Sequence, residues 1–217
     1  MDSIELTLRR TAAASALAAR LLARPDSETL LVCGCGEQGR AHLEALADVL
    51  PLKRCLAWDA DPDRARAFES GRPIEVRAVR ELGEAVATAE IIATCTTARE
   101  PFLGLEHVRP GTFIAAVGAD SPDKRELAPE LMAAAAIVTD VTAQCAAMGE
   151  LHHVPGNPVR AELGELVAGR GAGRSSDDEI IVFDSTGTAL QDVAAAAAIY
   201  EKAAADSSVP RVALGAL

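Results

Sequence analysis

Aromatic residues are scarce in this chain of 217 residues, at 3% against 49% for hydrophobic residues as a whole. A folded core must therefore be built mainly from Ala, Leu, Val and Ile, and the hydrophobic share still excludes a largely disordered chain. Basic residues are also in deficit, because 21 Lys and Arg face 32 Asp and Glu, a formal net charge of −11. This charge repels phosphate backbones and anionic lipid, so we expect neither nucleic acid nor a membrane as a partner.

A disulfide framework and long apolar runs are lacking as well. The five cysteines are odd in number and irregularly spaced, which favours reduced thiols and a cytoplasmic location. No uncharged run reaches the ~18–20 residues of a membrane span. The pair His152-His153 lacks a third ligand at a fixed spacing, so we assign no metal site.

Short apolar runs alternate with helical patterns along the chain. Runs that are apolar on both faces, each followed by a helix, predict an α/β protein: a Rossmann-like, doubly wound, mostly parallel sheet with helices on both faces. We expect one domain over residues 1–217, since the Gly- and Ser-rich segment 169–178 is too short to separate two domains. The predicted strands cover residues 29–33, 55–58, 74–79, 91–95, 112–117, 137–140 and 179–184, and the predicted helices include residues 5–24, 37–50, 82–89 and 188–205.

A glycine-rich loop follows the first predicted strand. Gly34, Gly36 and Gly39 fit the pattern G-x-G-x-x-G, and Asp59 ends the next strand twenty residues later. In this context the glycines allow a tight turn, the approach of a pyrophosphate to a helix N-terminus and close helix–strand packing, while the acid binds ribose hydroxyls. Asp59 would repel a 2′-phosphate, so we expect NAD rather than NADP as the cofactor. The alternative is a glycine-rich turn without a ligand.

Two further loops, residues 94–97 and 117–124, leave predicted strands at the ends where such sheets bind ligands. Asp120 in the second loop is a candidate site residue. By periodicity alone it is equally well the N-cap of a helix that begins near Pro122.

Four separated segments resemble the ornithine cyclodeaminase/μ-crystallin family. They are Arg10-Thr11-Ala12-Ala13, the loop 34–38, residues 117–127, and residues 183–192 with the sequence FDSTGTALQD. The resemblance covers nearly the whole chain, and the segments occur in the family's order. It implies NAD(P)-dependent oxidation or reduction of the Cα–N bond of a small L-amino acid or cyclic ketimine.

The resemblance also implies roles for individual residues. Arg10 would bind the substrate carboxylate, and Asp120 matches the family's catalytic carboxylate, which can hold the amine proton and stabilise an iminium. The implied cofactor-binding residues are Gly34, Gly36, Glu37, Gln38, Gly39, Asp59, Thr96, Val117, Gly118, Ala119, Lys124 and Ser185.

The family carries an N-terminal lobe ahead of the Arg-Thr-Ala-Ala helix, and this chain starts almost at that helix. We therefore expect the helices at about 5–24 and 188–205 to pack on a substrate and dimerisation lobe that is absent from the chain, which would leave the substrate site incomplete. The expected activity is of the ketimine reductase, amino acid dehydrogenase or ornithine cyclodeaminase type, in a homodimer. The alternative is a non-catalytic module that binds NAD or another small ligand, or an inactive truncated family member.

Overall fold

Eight parallel strands form one sheet in this computed structural model, which describes residues 2–70 and 74–210. The strands are β1 (Thr29–Cys33), β2 (Arg54–Trp58), β3 (Glu75–Ala78), β4 (Ile91–Thr94), β5 (Phe113–Ala116), β6 (Ala136–Thr139), β7 (Val159–Glu162) and β8 (Ile181–Asp184). The helices are α1 (Ser3–Leu22), α2 (Glu37–Val49), α3 (Pro62–Ala67), α4 (Leu82–Val86), α5 (Pro129–Ala134), α6 (Thr142–Met148), α7 (Leu163–Val167) and α8 (Ala189–Ala205).

The strand order β3-β2-β1-β4-β5-β8-β6-β7 contains a change of direction at β1. The chain runs outward from β1 through β2 to β3, and then returns to place β4 on the other side of β1. The loops after β1 and β4 therefore flank a crevice at the carboxyl edge of the sheet. In open α/β sheets this switch point is where ligands bind.

The sheet separates two apolar cores, because successive side chains of a buried strand point to opposite faces. Leu30 and Val32 of β1 pack on one face with residues of α1, α2, α3 and α7. Leu31 and Cys33 pack on the other face with residues of α4 and α5. Helices thus cover both faces, and the predicted doubly wound α/β fold is confirmed.

All seven predicted strands are present, with ends that differ from the prediction by two residues or fewer. The sequence analysis missed β7 (Val159–Glu162), whose pattern Val-Arg-Ala-Glu contains no apolar run. Only Ala161 of this strand is buried, because β7 pairs with β6 alone at the edge of the sheet. The single domain over 1–217 stays a prediction, since residues 1, 71–73 and 211–217 lie outside the described ranges.

The two flanking helices are at the predicted positions but differ in burial. Helix α1 packs along α2 and buries eight residues. Helix α8 buries none of its residues, all of which belong to the described part of the chain. Within the described ranges, no helix is both long and apolar enough to cross a membrane.

Candidate functional site

The glycine loop lies in the crevice between β1 and β4, and its first and third glycines are required by the protein's own packing. Gly34 has φ +99°, and a Cβ there would lie 2.6 Å from the carbonyl oxygen of Cys95. A Cβ at Gly39 would collide with the carbonyl oxygen of Gly34. At Gly36, by contrast, a Cβ would meet no described atom within 4 Å. The middle of the loop is therefore open, which leaves room for a ligand against the backbone.

The N-terminus of α2 adjoins this open stretch of backbone. The first N–H groups of a helix have no partner within the helix, and here no side chain of a described residue caps them. Glu37 is exposed, with its carboxylate 3.7 Å from the Arg40 guanidinium. A helix terminus with free N–H groups attracts anions, and this one therefore fits a pyrophosphate.

The Gln38 side chain contacts α1 and a buried histidine of α2. Its amide donates to the carbonyl oxygen of Leu8 in α1, at 3.4 Å, and lies 3.3 Å from Nδ1 of His42. His42 is fully buried and contacts the Ser15 hydroxyl of α1 at 2.9 Å. Burial lowers the pKa of His42 to about 4, so the ring is neutral at physiological pH. This contact fixes α1 to the helix that begins at the glycine loop.

Asp59 lies beside the glycine loop at the end of β2. Its Oδ2 accepts a hydrogen bond from the Cys35 amide at 2.8 Å, and its Oδ1 accepts one from the Asp61 amide at 2.9 Å. Asp61 is the N-cap of α3, with Pro62 at the first helical position. A carboxylate has about four acceptor positions, so Asp59 retains two for ribose hydroxyls.

The loop after β5 carries Asp120 on its surface. Val117, Gly118 and Ala119 are buried, whereas half of the Asp120 side chain is exposed. Lys124 donates to its Oδ1 at 2.6 Å. Residues 121–123 form a turn, and the next helix begins only at Pro129. The alternative of Asp120 as the N-cap of a helix near Pro122 is therefore wrong.

Arg10 reaches the same edge of the sheet from α1. Its Nε donates to Asp192 at 3.0 Å and its Nη1 to Gln191 at 3.2 Å, both on α8. A Cβ at Gly187 would collide with the guanidinium, so the loop after β8 is built closely around it. Nη2 forms no hydrogen bond to a described residue. Arg10 is thus held against Gly187, with donor capacity left over.

Beneath these loops lies a set of buried acids that the sequence analysis missed, which we call the carboxyl row: Glu126, Glu150, Asp184 and Asp140. Each accepts backbone N–H groups from a neighbouring loop. Glu150 binds the amides of Glu126 (2.7 Å) and Leu127 (3.2 Å), and Asp184 binds those of Glu150 (3.2 Å) and Leu151 (2.9 Å). Asp140 binds the Ser185 hydroxyl (2.9 Å) and the Gly187 amide (2.7 Å).

Burial raises the pKa values of Glu126, Glu150 and Asp184. The pKa of Glu126 is raised by burial, and hydrogen bonds from Thr94 and Thr96 oppose the shift. Burial, together with the negative charge of Glu126, raises the pKa of Glu150 to about 8. Burial raises the pKa of Asp184 to about 7. None of the four acids forms an ion pair with a residue in the described ranges, so charge in the row is not compensated by a cation there.

The sequence of residues 1–207 matches the model of the ornithine cyclodeaminase/mu-crystallin family. This chain belongs to that family. It is 38% identical over 203 residues to the mouse ketimine reductase mu-crystallin, covering 93% of this chain and 64% of that protein. The chain spans about two thirds of the length of the curated relatives it matches.

Two solved structures share the fold closely. An archaeal alanine dehydrogenase dimer with bound NAD superposes with a TM-score of 0.92 at 37% identity, covering 99% of this chain and 69% of that one. The Thermococcus litoralis Δ1-pyrroline-2-carboxylate reductase in complex with NADH and L-proline superposes with a TM-score of 0.93 at 33% identity, covering 98% and 69%. The family inferred from the four sequence segments is confirmed.

Proposed function

We propose that this family member binds NAD(H) and acts in hydride transfer at the Cα–N bond of a small L-amino acid or cyclic ketimine. The observation that carries the proposal is the open backbone at Gly36, where the switch crevice of the sheet, an uncapped helix N-terminus and Asp59 meet. The known relatives act on amino or imino acids, as their names state for ketimine, alanine and Δ1-pyrroline-2-carboxylate. The cofactor, when bound, supplies or accepts the hydride.

The cofactor would be held along the carboxyl edge of the sheet. The N–H groups at Gly36, Glu37 and Gln38 would bind the pyrophosphate, and Asp59 would accept hydrogen bonds from the adenosine ribose. Towards the nicotinamide end lie the buried backbone of residues 117–119 and the loops that carry Thr96 and Ser185. These loops are neighbours because β4, β5 and β8 are adjacent in the sheet.

Asp120 and Arg10 supply the proposed substrate chemistry. The Asp120 carboxylate is accessible, so it can hold the proton of a substrate nitrogen, and a negative charge there stabilises an iminium carbon–nitrogen unit. Lys124 restrains the Asp120 side chain through its ion pair. The remaining donor of Arg10 can bind a substrate carboxylate. One such site serves a ketimine reductase, an amino acid dehydrogenase and an ornithine cyclodeaminase alike, since all three pass through a Cα–N double bond.

We expect NADH to bind at least about tenfold more tightly than NADPH, because a 2′-phosphate would have to approach the Asp59 carboxylate. Titration followed through the single tryptophan, Trp58, measures both dissociation constants. Asp59→Ser should bring the dissociation constants of NADPH and NADH closer together. It should also weaken the binding of both ligands, since the Cys35 amide loses its acceptor. Asp48→Asn, which removes an exposed carboxylate from α2, should leave the ratio unchanged. Equal or tighter binding of NADPH by the wild type would contradict the cofactor assignment.

We propose that the exposed face of α8 contacts a second copy of the chain. Leu190, Val193 and Tyr200 are 76%, 65% and 71% exposed, and their spacing puts them on one side of the helix. Exposed apolar patches of this kind mark interaction surfaces, and the related alanine dehydrogenase is a dimer. Light scattering of the wild type should give twice the mass of one chain. The double variant Leu190→Glu/Val193→Glu should give the mass of one chain. A monomeric wild type would contradict this.

A further inference from the structure

Glu126 joins two loops at the carboxyl edge of the sheet. Its Oε1 accepts hydrogen bonds from the amide and the hydroxyl of Thr96, both at 2.7 Å. Its Oε2 accepts from the Gly118 amide at 2.9 Å and from the Thr94 hydroxyl at 2.6 Å. A carboxylate has about four acceptor positions, so its capacity is filled by these four donors. The loop after β4 is thereby tied to the loop after β5.

The surrounding backbone is built around this carboxylate. A Cβ at Gly118 would collide with it, so the close approach depends on the glycine. The main chain of Glu126 is fixed as well, because its carbonyl oxygen accepts from the amides of Phe102 (3.0 Å) and Leu103 (3.1 Å). Its own amide donates to Glu150. Neither the side chain nor the segment that carries it can move without loss of several hydrogen bonds.

The carboxyl row extends the same frame to the loop after β8. The amide of Glu150 donates to Asp184, the residue before Ser185, and the Ser185 hydroxyl donates to Asp140. Three loops are therefore held relative to one another by buried acids. Glu126 itself has no exposed surface, so it cannot contact a ligand directly.

We propose that Glu126 is a positioning residue that sets the spacing between Thr96 and Gly118 and so shapes the seat of the nicotinamide ring. This inference rests on the proposed function, because it requires that NAD(H) occupies the crevice. The adenosine and pyrophosphate ends would be held by the glycine loop and Asp59, and the hydrogen bonds of the Glu126 side chain go to Thr94, Thr96 and Gly118 instead. A change at Glu126 should therefore affect one end of the cofactor only.

Calorimetric titration with NADH and with ADP-ribose tests the proposal without any measurement of turnover. ADP-ribose contains the adenosine and pyrophosphate but lacks the nicotinamide. In Glu126→Gln the amide keeps the shape of the side chain, but its NH2 group faces two donors in place of an acceptor. We expect NADH to bind about tenfold or more weakly while the affinity for ADP-ribose changes by less than about twofold.

Thr94→Val is the second variant, and it decides the question if Glu126→Gln does not fold. This nearly isosteric change removes one donor to Glu126 at a residue with no exposed surface, so any effect on a ligand must be indirect. We expect the binding of NADH to weaken again while the binding of ADP-ribose does not, but by a smaller factor than in Glu126→Gln. Glu130→Gln, an exposed acid four residues along the chain, is the control and should change neither affinity.

The outcomes separate the two proposals. Equal loss of NADH and ADP-ribose in the folded variants, no loss of either, or wild-type binding of NADH no tighter than of ADP-ribose would each overturn the positioning role alone. Wild-type protein that binds neither ligand would overturn the proposed function, and the positioning role with it.

Discussion

Asp120→Asn in the full protein should lower kcat/KM for its amino or imino acid substrate by about 10³-fold, while the affinity for NADH stays the same. Asparagine keeps the shape of the side chain but cannot hold and release the proton of the substrate nitrogen. It also removes the negative charge that would stabilise the iminium. We propose that the glycine loop and Asp59 hold the adenosine and pyrophosphate ends of the cofactor. Because asparagine keeps the shape of the side chain beside the nicotinamide end, the affinity for NADH should change little.

The assay follows NADH absorbance with Δ1-pyrroline-2-carboxylate, and with NAD+ and L-alanine or L-ornithine. Asp123→Asn is the matched control, because Asp123 lies in the same loop and is mostly exposed. A hydrogen bond from Ser121 lowers the pKa of Asp123, which keeps that acid ionised. The control should retain wild-type turnover. Undiminished turnover in Asp120→Asn, or an equal loss in Asp123→Asn, would contradict the assignment of Asp120.

The fold and the cofactor end of the site were predictable because both depend on local patterns. Strands buried on both faces have continuous apolar runs, which the sequence displays at β1, β4, β5 and β8. The glycine spacing follows from two close backbone approaches, at Gly34 and Gly39, that no other residue tolerates. The glycine pattern is recognisable in a short stretch of sequence even though the atom that Gly34 approaches, the carbonyl oxygen of Cys95, belongs to a distant strand end.

The features that the sequence did not reveal depend on distant partners. Glu126 and Glu150 look like ordinary surface acids, and their burial follows only when amides from the loops after β4 and β5 converge on them. Arg10 is predicted as a substrate residue, but its ion pair with Asp192 joins positions 182 residues apart. Residues 121–123 form a turn where the alternative interpretation places a helix. A single sequence carries no local signal for any of these.

The buried carboxyls Glu150 and Asp184 make the stability of the fold decrease as the pH rises towards 8. The pKa of Glu150 is about 8 and that of Asp184 is about 7, whereas carboxyls of the unfolded chain titrate near ~4. Between these values the folded protein keeps protons that the unfolded chain has released. The stabilisation is therefore complete below pH ~4 and is lost progressively as the pH rises to about 7 for Asp184 and about 8 for Glu150. His42, whose pKa is lowered to about 4, acts in the opposite direction but only below its unfolded pKa of ~6.5.

Glu150→Gln should therefore flatten the fall in Tm between about pH 6.5 and 8.5, because an amide does not titrate. Each retained proton is worth up to about 1.4 kcal/mol per pH unit, and each kcal/mol corresponds to roughly 2–4 °C in a chain of this size. The variant should be less stable than the wild type at pH 6.5, since its NH2 group meets an amide donor from Glu126 or Leu127. The two Tm curves should converge as the pH rises, measured by circular dichroism at constant ionic strength. Glu130→Gln should keep the wild-type slope, and parallel curves for Glu150→Gln and wild type would show that Glu150 is already ionised in the folded protein.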